Sequence, residues 1–223
     1  MAIRTLDMSA YPRRDHFQAF LSMSNPGLQV TVPVDITSWL AGLKRSGFPF
    51  FLSFQYAVVR AANRVPEFRQ RVSGGGIVEY SFCDPSYTVA RPDGTYRYCL
   101  VHADQPFTDY LAEAEKKQRA ALSSDRLEEE GDVLGQFFVT TLPWLSYDSL
   151  IMPWPDPSFS IPNFGWGKAV RDVRLVLENG VPAEKETATL PVTVMVNHAL
   201  MDGLHLSRFF DCLREELDRF WNR

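Results

Sequence analysis

Val192-Thr-Val-Met-Val-Asn197-His198-Ala-Leu-Met-Asp202-Gly203-Leu-His205-Leu-Ser-Arg208-Phe-Phe210, close to the C-terminus, decides how the chain is read. Val192, Val194 and Val196 alternate with Thr193 and Met195 as in a strand with at least one buried face. An amphipathic helix follows, with Leu206, Phe209, Phe210, Leu213, Leu217 and Phe220 on one side. Between the two, a turn receives a single imidazole from the end of the strand.

A histidine that is to take up a proton near neutral pH needs an uncharged ring and a second nitrogen held in place. The apolar run before His198 supplies a dry setting, which disfavours imidazolium. His198 is therefore the candidate base. Asp202 has two readings: its carboxylate orients the imidazole, or it ties down the turn by pairing with an arginine. Gly203 is expected to permit a close backbone turn into the helix. A lone histidine at a strand end also reads as a packed core residue, so the rest of the chain must decide.

The chain has 223 residues, 45% hydrophobic and 13% aromatic, enough for one core in a single domain over residues 1–223. A net charge of −4 without any Lys/Arg run argues against a nucleic-acid partner. Cys83, Cys99 and Cys212 are odd in number and lack metal-type spacing, so neither a disulfide framework nor a metal site is expected. No apolar run reaches the length of a membrane span, and the first residues are not those of a signal peptide. A reducing cytoplasm is the expected location.

Outward from the deciding stretch, Leu28 to Val34 alternates as a strand, and Asp35 to Thr37 offer caps for a helix stopped by Gly47. Phe50 to Val65 reads as a buried helix ended by Pro66. Several short antiparallel strands are expected from Phe68 to Leu100, with Ser73-Gly-Gly-Gly76 as a hairpin turn and not a phosphate cradle. A helix over about Thr108 to Leu122 precedes an exposed acidic loop, Asp125 to Gly131. Phe137 to Thr141 is a second buried strand, ending near Pro143. Met152 to Phe164 is an irregular connection. From Gly165 another strand opens, over Val170 to Leu177, and Asn179-Gly180 marks a turn. The sum is an α+β fold, a two-layer sandwich with a mixed β-sheet covered by several helices.

In this order the chain resembles the chloramphenicol acetyltransferase family, trimeric enzymes that move acetyl from acetyl-CoA to a hydroxyl of the antibiotic. The resemblance spans nearly the whole length. It rests on Arg13-Arg-Asp-His-Phe17, Val34-Asp-Ile-Thr37, Phe50 to Asn63, Glu67-Phe-Arg69, Leu142-Pro-Trp144, Tyr147-Asp-Ser149, His198 to His205 and Ser207-Arg-Phe209.

The resemblance implies His198 as general base, with its other ring nitrogen bonded to its own backbone carbonyl. It makes Asp202 structural, paired with Arg13. Thr140 falls where the family has a serine whose hydroxyl stabilises the tetrahedral intermediate; both side chains donate one O–H, though the extra methyl restricts rotamers. Phe20, Tyr96, Tyr98 and Gly165 become acceptor-pocket candidates, and Lys168 a candidate on the CoA side. Acetyl-CoA is the implied co-substrate, without a metal, and active sites between subunits of a homotrimer are implied as well. The chain departs from the family on the acceptor side. Asn197 replaces a second histidine, Tyr98 stands for a small residue, Gly165 replaces a hydroxyl-bearing one, and the Phe-Pro turn is missing from Asp125 to Gln136. Chloramphenicol is the favoured acceptor. The alternatives are a related CoA-dependent acyltransferase with another hydroxyl or thiol acceptor, since dihydrolipoyl acyltransferase cores share H-x-x-x-D-G, and a non-catalytic ligand-binding trimer.

Overall fold

The computed structural model describes all residues except Met1, Arg126, Glu128, Glu129, Asn179 and Arg223. In chain order it runs β1 (Ile3–Thr5), α1 (Arg14–Leu21), β2 (Gly27–Asp35), α2 (Thr37–Ser46), α3 (Phe50–Asn63), β3 (Gln70–Ser73), β4 (Gly76–Tyr80), β5 (Asp84–Ala90) and β6 (Tyr96–Leu100). It continues with α4 (Phe107–Ser123), β7 (Gln136–Thr141), β8 (Asn163–Trp166), β9 (Val170–Glu178), β10 (Val181–Asn197) and α5 (Gly203–Arg219).

Local chemistry sets several of the boundaries. The Asp35 carboxylate accepts the Thr37 N–H at 2.8 Å just ahead of α2, but the residue at the helix cap is Ile36, which makes no side-chain cap bond. The helix stops at Gly47, whose φ of 71° is the left-handed conformation that glycine adopts without strain. Two more such glycines, Gly74 and Gly75 at φ 57° and 78°, close the β3–β4 hairpin.

The main sheet has the order β2-β10-β8-β7-β5-β6, with β9 paired to β10. β7 runs parallel to both β5 and β8, and the other pairings are antiparallel, so the sheet is mixed as expected. The strands between Phe68 and Leu100 do not all join it. β3 and β4 form a separate three-stranded sheet with β1, an edge strand too short to show a pattern in the sequence. What was expected as one strand opening at Gly165 is two, because the chain leaves the sheet between Trp166 and Val170. Asn179, half of the expected turn there, and part of the acidic loop lie outside the described residues.

The two faces of the main sheet differ chemically. One is apolar and packed under helices: Trp166 meets Phe51 and Phe54 of α3, with ring centroids 5.7 and 5.1 Å apart, and Phe164 meets Phe209 of α5 at 5.2 Å. Val192, Val194 and Val196 are fully buried on this side. Burying three such side chains contributes about 1.5–3 kcal/mol each.

Register places Gln29, Thr31, Thr193, Met195, Asn163, Gly165, Phe138 and Thr140 together on the opposite face. Residues 142–162 strap over part of it. The Gln29 carboxamide donates to the Leu150 carbonyl and accepts the Met152 N–H at 3.1 Å. Thr193, shared between Thr31 at 2.7 Å and Tyr147 at 3.4 Å, is buried as well. Both faces of β10 are therefore closed along this stretch, and the strap leaves the β7 side of the polar face open.

Candidate active site

β10 ends at Asn197 and the chain turns sharply, with the N–H groups of Leu200 and Met201 donating to the Asn197 carbonyl at 3.0 and 3.1 Å. The His198 N–H donates to the Pro26 carbonyl at 2.7 Å, anchoring the turn beside β2. The His198 ring lies half-buried on this turn. Its Nδ1 is 3.0 Å from the Met201 carbonyl oxygen. A carbonyl only accepts, so Nδ1 carries the hydrogen and the neutral ring keeps its lone pair on Nε2. The resemblance had implied a bond to the residue's own carbonyl; the turn instead brings the carbonyl three residues on to the ring. Phe20 of α1 stacks on the imidazole with centroids 3.8 Å apart and planes 11° from parallel.

The Asp202 carboxylate is engaged by groups other than the His198 ring. Asp202 caps α5, its side chain accepting the Leu204 N–H at 3.0 Å and lying 2.8 Å from His205 Nδ1, and it pairs with Arg13. Burial alone would raise the Asp202 carboxyl, but the hydrogen bond and charge of Arg13, with His205 beside it, hold it down to about 2. On the other side of His205, Glu67 lies 3.5 Å from Nε2, and that hydrogen bond keeps its carboxyl below the usual range. Of the two readings of Asp202, the geometry supports architecture. Gly203 corrects another expectation. Its φ is not positive, and a Cβ there would meet nothing within 4 Å, so the turn does not depend on glycine.

Thr140 lies two strands away on the polar face. It lines a cavity of about 180 Å³ together with Ser86, Thr88, Tyr96, Tyr98, Phe138 and Asn163. Tyr96 and Tyr98 meet edge to face at 5.6 Å and narrow it. Gly165 is paired with Thr140 across the ladder; a Cβ on it would come within 3.4 Å of the Thr140 methyl and 3.0 Å of Leu150. Asn163 is a lining residue that the sequence reading missed. It ends the Pro- and aromatic-rich stretch read as irregular, although its two-residue offset from Gly165 puts the two on one face once β8 exists.

The expected site residues thus fall into two groups. Arg13, Phe20, His198 and Asp202 gather at the end of β10, while Thr140, Tyr96, Tyr98 and Gly165 gather over β6, β7 and β8. On the sheet, Thr193 aligns with Gly165 and Gly165 with Thr140. His198 is therefore offset from Thr140 by about five residues of strand and two strand spacings, on the order of 15–20 Å. Lys168 belongs to neither group: it is exposed just past β8, and its N–H donates to the Leu145 carbonyl at 2.6 Å, beside the exposed Trp144.

The layered fold has its counterparts among acyltransferases. A solved chloramphenicol acetyltransferase superposes with a TM-score of 0.78 at 24% identity over 97% of this chain and all of the other. A probable dihydrolipoamide acetyltransferase from Listeria monocytogenes superposes at 0.60 and 17% identity, over 97% of this chain and 94% of the other. In sequence the chain is 28% identical over 220 residues to a chloramphenicol acetyltransferase of Escherichia coli, spanning 97% of this chain and 94% of that one. It is 25% identical over 219 residues to one from Clostridioides difficile, spanning 96% of each. The family model described as chloramphenicol acetyltransferase matches residues 1–214, and the chain belongs to that family. It is an acyltransferase. Among the described residues no helix is long and apolar enough to cross a membrane, and no group of three or more His, Cys, Asp or Glu could hold a metal ion.

Proposed function

We propose that the chain is a chloramphenicol O-acetyltransferase with acetyl-CoA as donor, working as a homotrimer in the cytoplasm. The observation that carries the reading is the bond from His198 Nδ1 to the Met201 carbonyl, which commits the free lone pair of a half-buried ring to Nε2. His198 takes the proton of the acceptor hydroxyl as its oxygen bonds to the thioester carbonyl carbon. The Thr140 hydroxyl donates to the oxyanion that forms. When the C–S bond breaks, the imidazolium of His198 returns the proton to the thiolate, leaving an acetyl ester and a free thiol. No acyl-enzyme is needed.

The distance between His198 and Thr140 within one chain supports a site completed by a second copy, the His group of one protomer facing the Thr140 cavity of its neighbour. A row of exposed apolar side chains on β9, Val173, Leu175 and Leu177, offers a surface for that association. Lys168 beside Trp144 offers a cation and a bare indole to a phosphorylated thioester. Three unpaired cysteines accord with a reducing compartment.

A second reading, the same chemistry on a different hydroxyl or thiol, is favoured by the cavity itself. Within one protomer it is small, and the Tyr96 and Tyr98 rings that narrow it limit the bulk of an acceptor. The test is thiol release from acetyl-CoA with chloramphenicol and a panel of other alcohols and thiols, for the wild-type chain and His198→Ala. Acetylation of the antibiotic that falls about 10²–10⁴-fold in a folded variant is expected. Near-normal turnover in His198→Ala would refute the base, and turnover only with another acceptor would replace chloramphenicol.

A further inference from the structure

The residue beside the base is not spent on the core. Asn197 is fully buried, and its carboxamide makes three hydrogen bonds. Nδ2 donates to the carbonyls of Pro157 and Phe159 at 3.0 and 2.9 Å, and Oδ1 accepts the Ala199 N–H at 2.9 Å. Its backbone carbonyl takes the N–H groups of Leu200 and Met201. One residue thus closes the whole turn whose last carbonyl, that of Met201, holds His198 Nδ1. The same side chain pins the far end of the strap, where Phe159 lies against Trp154 and Phe138, their ring centroids 5.4 and 6.2 Å away.

We propose that Asn197 is a positioning residue for His198, its carboxamide clamping the Pro157–Phe159 stretch of the strap to the His198 turn so that the imidazole keeps its orientation. The proposal rests on the reading of His198 as base. A carboxamide fits this place because it alone offers two donors and an acceptor in one plane. An aliphatic side chain would leave the buried Ala199 N–H without its acceptor and release the two part-buried strap carbonyls. An aspartate would keep the acceptor but set a carboxylate against two carbonyl oxygens.

The test compares Asn197→Ala and Asn197→Asp with the wild-type chain, measuring kcat, KM for acetyl-CoA and the folded fraction of each. A displaced base lowers kcat per folded enzyme by up to about 10²-fold while KM for the donor stays within about twofold. A purely structural role lowers only the folded fraction, and unchanged kcat per folded enzyme in both variants would overturn the proposal. If neither variant folds, amide exchange in the wild-type chain decides. The N–H groups of Ala199, Leu200 and Met201 should exchange as slowly as those of Val194 and Val196, and loop-like exchange would overturn the clamp. His198→Gln separates the two ideas: normal turnover there removes the base, whereas an inactive His198→Gln beside undiminished Asn197 variants removes only the clamp.

Discussion

Phe20 covers one whole face of the His198 imidazole, 3.8 Å away and nearly parallel to it. The ring of α1 therefore stops the imidazole from tilting and leaves its edge, where Nε2 lies, for the proton transfer proposed above. A stacked pair of this kind contributes about 0.5–1.5 kcal/mol beyond its buried area. Phe20→Leu should lower kcat by about 2–10-fold with the fold intact, and Phe20→Tyr should lose less. Steady-state kinetics with both variants check this; equal rates in Phe20→Leu and wild type would mean that the stack does not order the base.

The Arg13–Asp202 pair predicts a pH-dependent share of stability. Asp202 titrates near 2 in the folded chain, below an unfolded value of about 3.9, so its contribution is complete above pH 4 and is lost as the pH falls from about 4 to 2. The pair is partly exposed, its side chains keeping 17% and 34% of their accessibility, which places Arg13→Ala at about 1–2 kcal/mol, between an open and a sealed ion pair. The melting point should drop by about 2–8 °C near neutral pH. Urea unfolding across the acid range should show the gap between variant and wild type closing toward pH 2. A gap that stays constant would assign the loss to packing.

Thr140 should act through its hydroxyl and not its shape. Thr140→Val keeps the volume and removes the donor, and kcat is expected to fall by about 10²–10³-fold. Thr140→Ser keeps the donor and should retain most of the rate. Transfer rates for the pair of variants, with KM for both substrates, test this. Equal activity in Thr140→Val would leave Thr140 as a strand residue only.

What could be read from the sequence follows from where each signal resides. The strand that carries His198, the helix after it and the buried α3 announced themselves because the periodicity of apolar residues is local. The stop at Gly47 and the hairpin at Gly74 and Gly75 were equally legible, since a positive φ selects glycine. Long-range pairing was not. The stack of Phe20 on His198 joins residues 178 positions apart, and nothing near either names the other. Asn163 was hidden among prolines and aromatics, and the separation of β3 and β4 into their own sheet depends on partners that a strand pattern does not specify. The Arg13–Asp202 pair came only from the family resemblance, and the structure realises it.

The central claim, that His198 of one protomer works with Thr140 of another, is tested most directly by co-expressing two inactive chains, His198→Ala and Thr140→Val, and assaying the mixed trimers. A site between neighbours has one intact pair whenever a Thr140→Val chain supplies His198 and a His198→Ala chain supplies Thr140. Random assembly from equal amounts then restores about one quarter of the wild-type sites. Recovery of that order is the predicted result. Mixed trimers no more active than either parent would contradict the account, because a site confined to one chain cannot be rebuilt from two that each lack half of it.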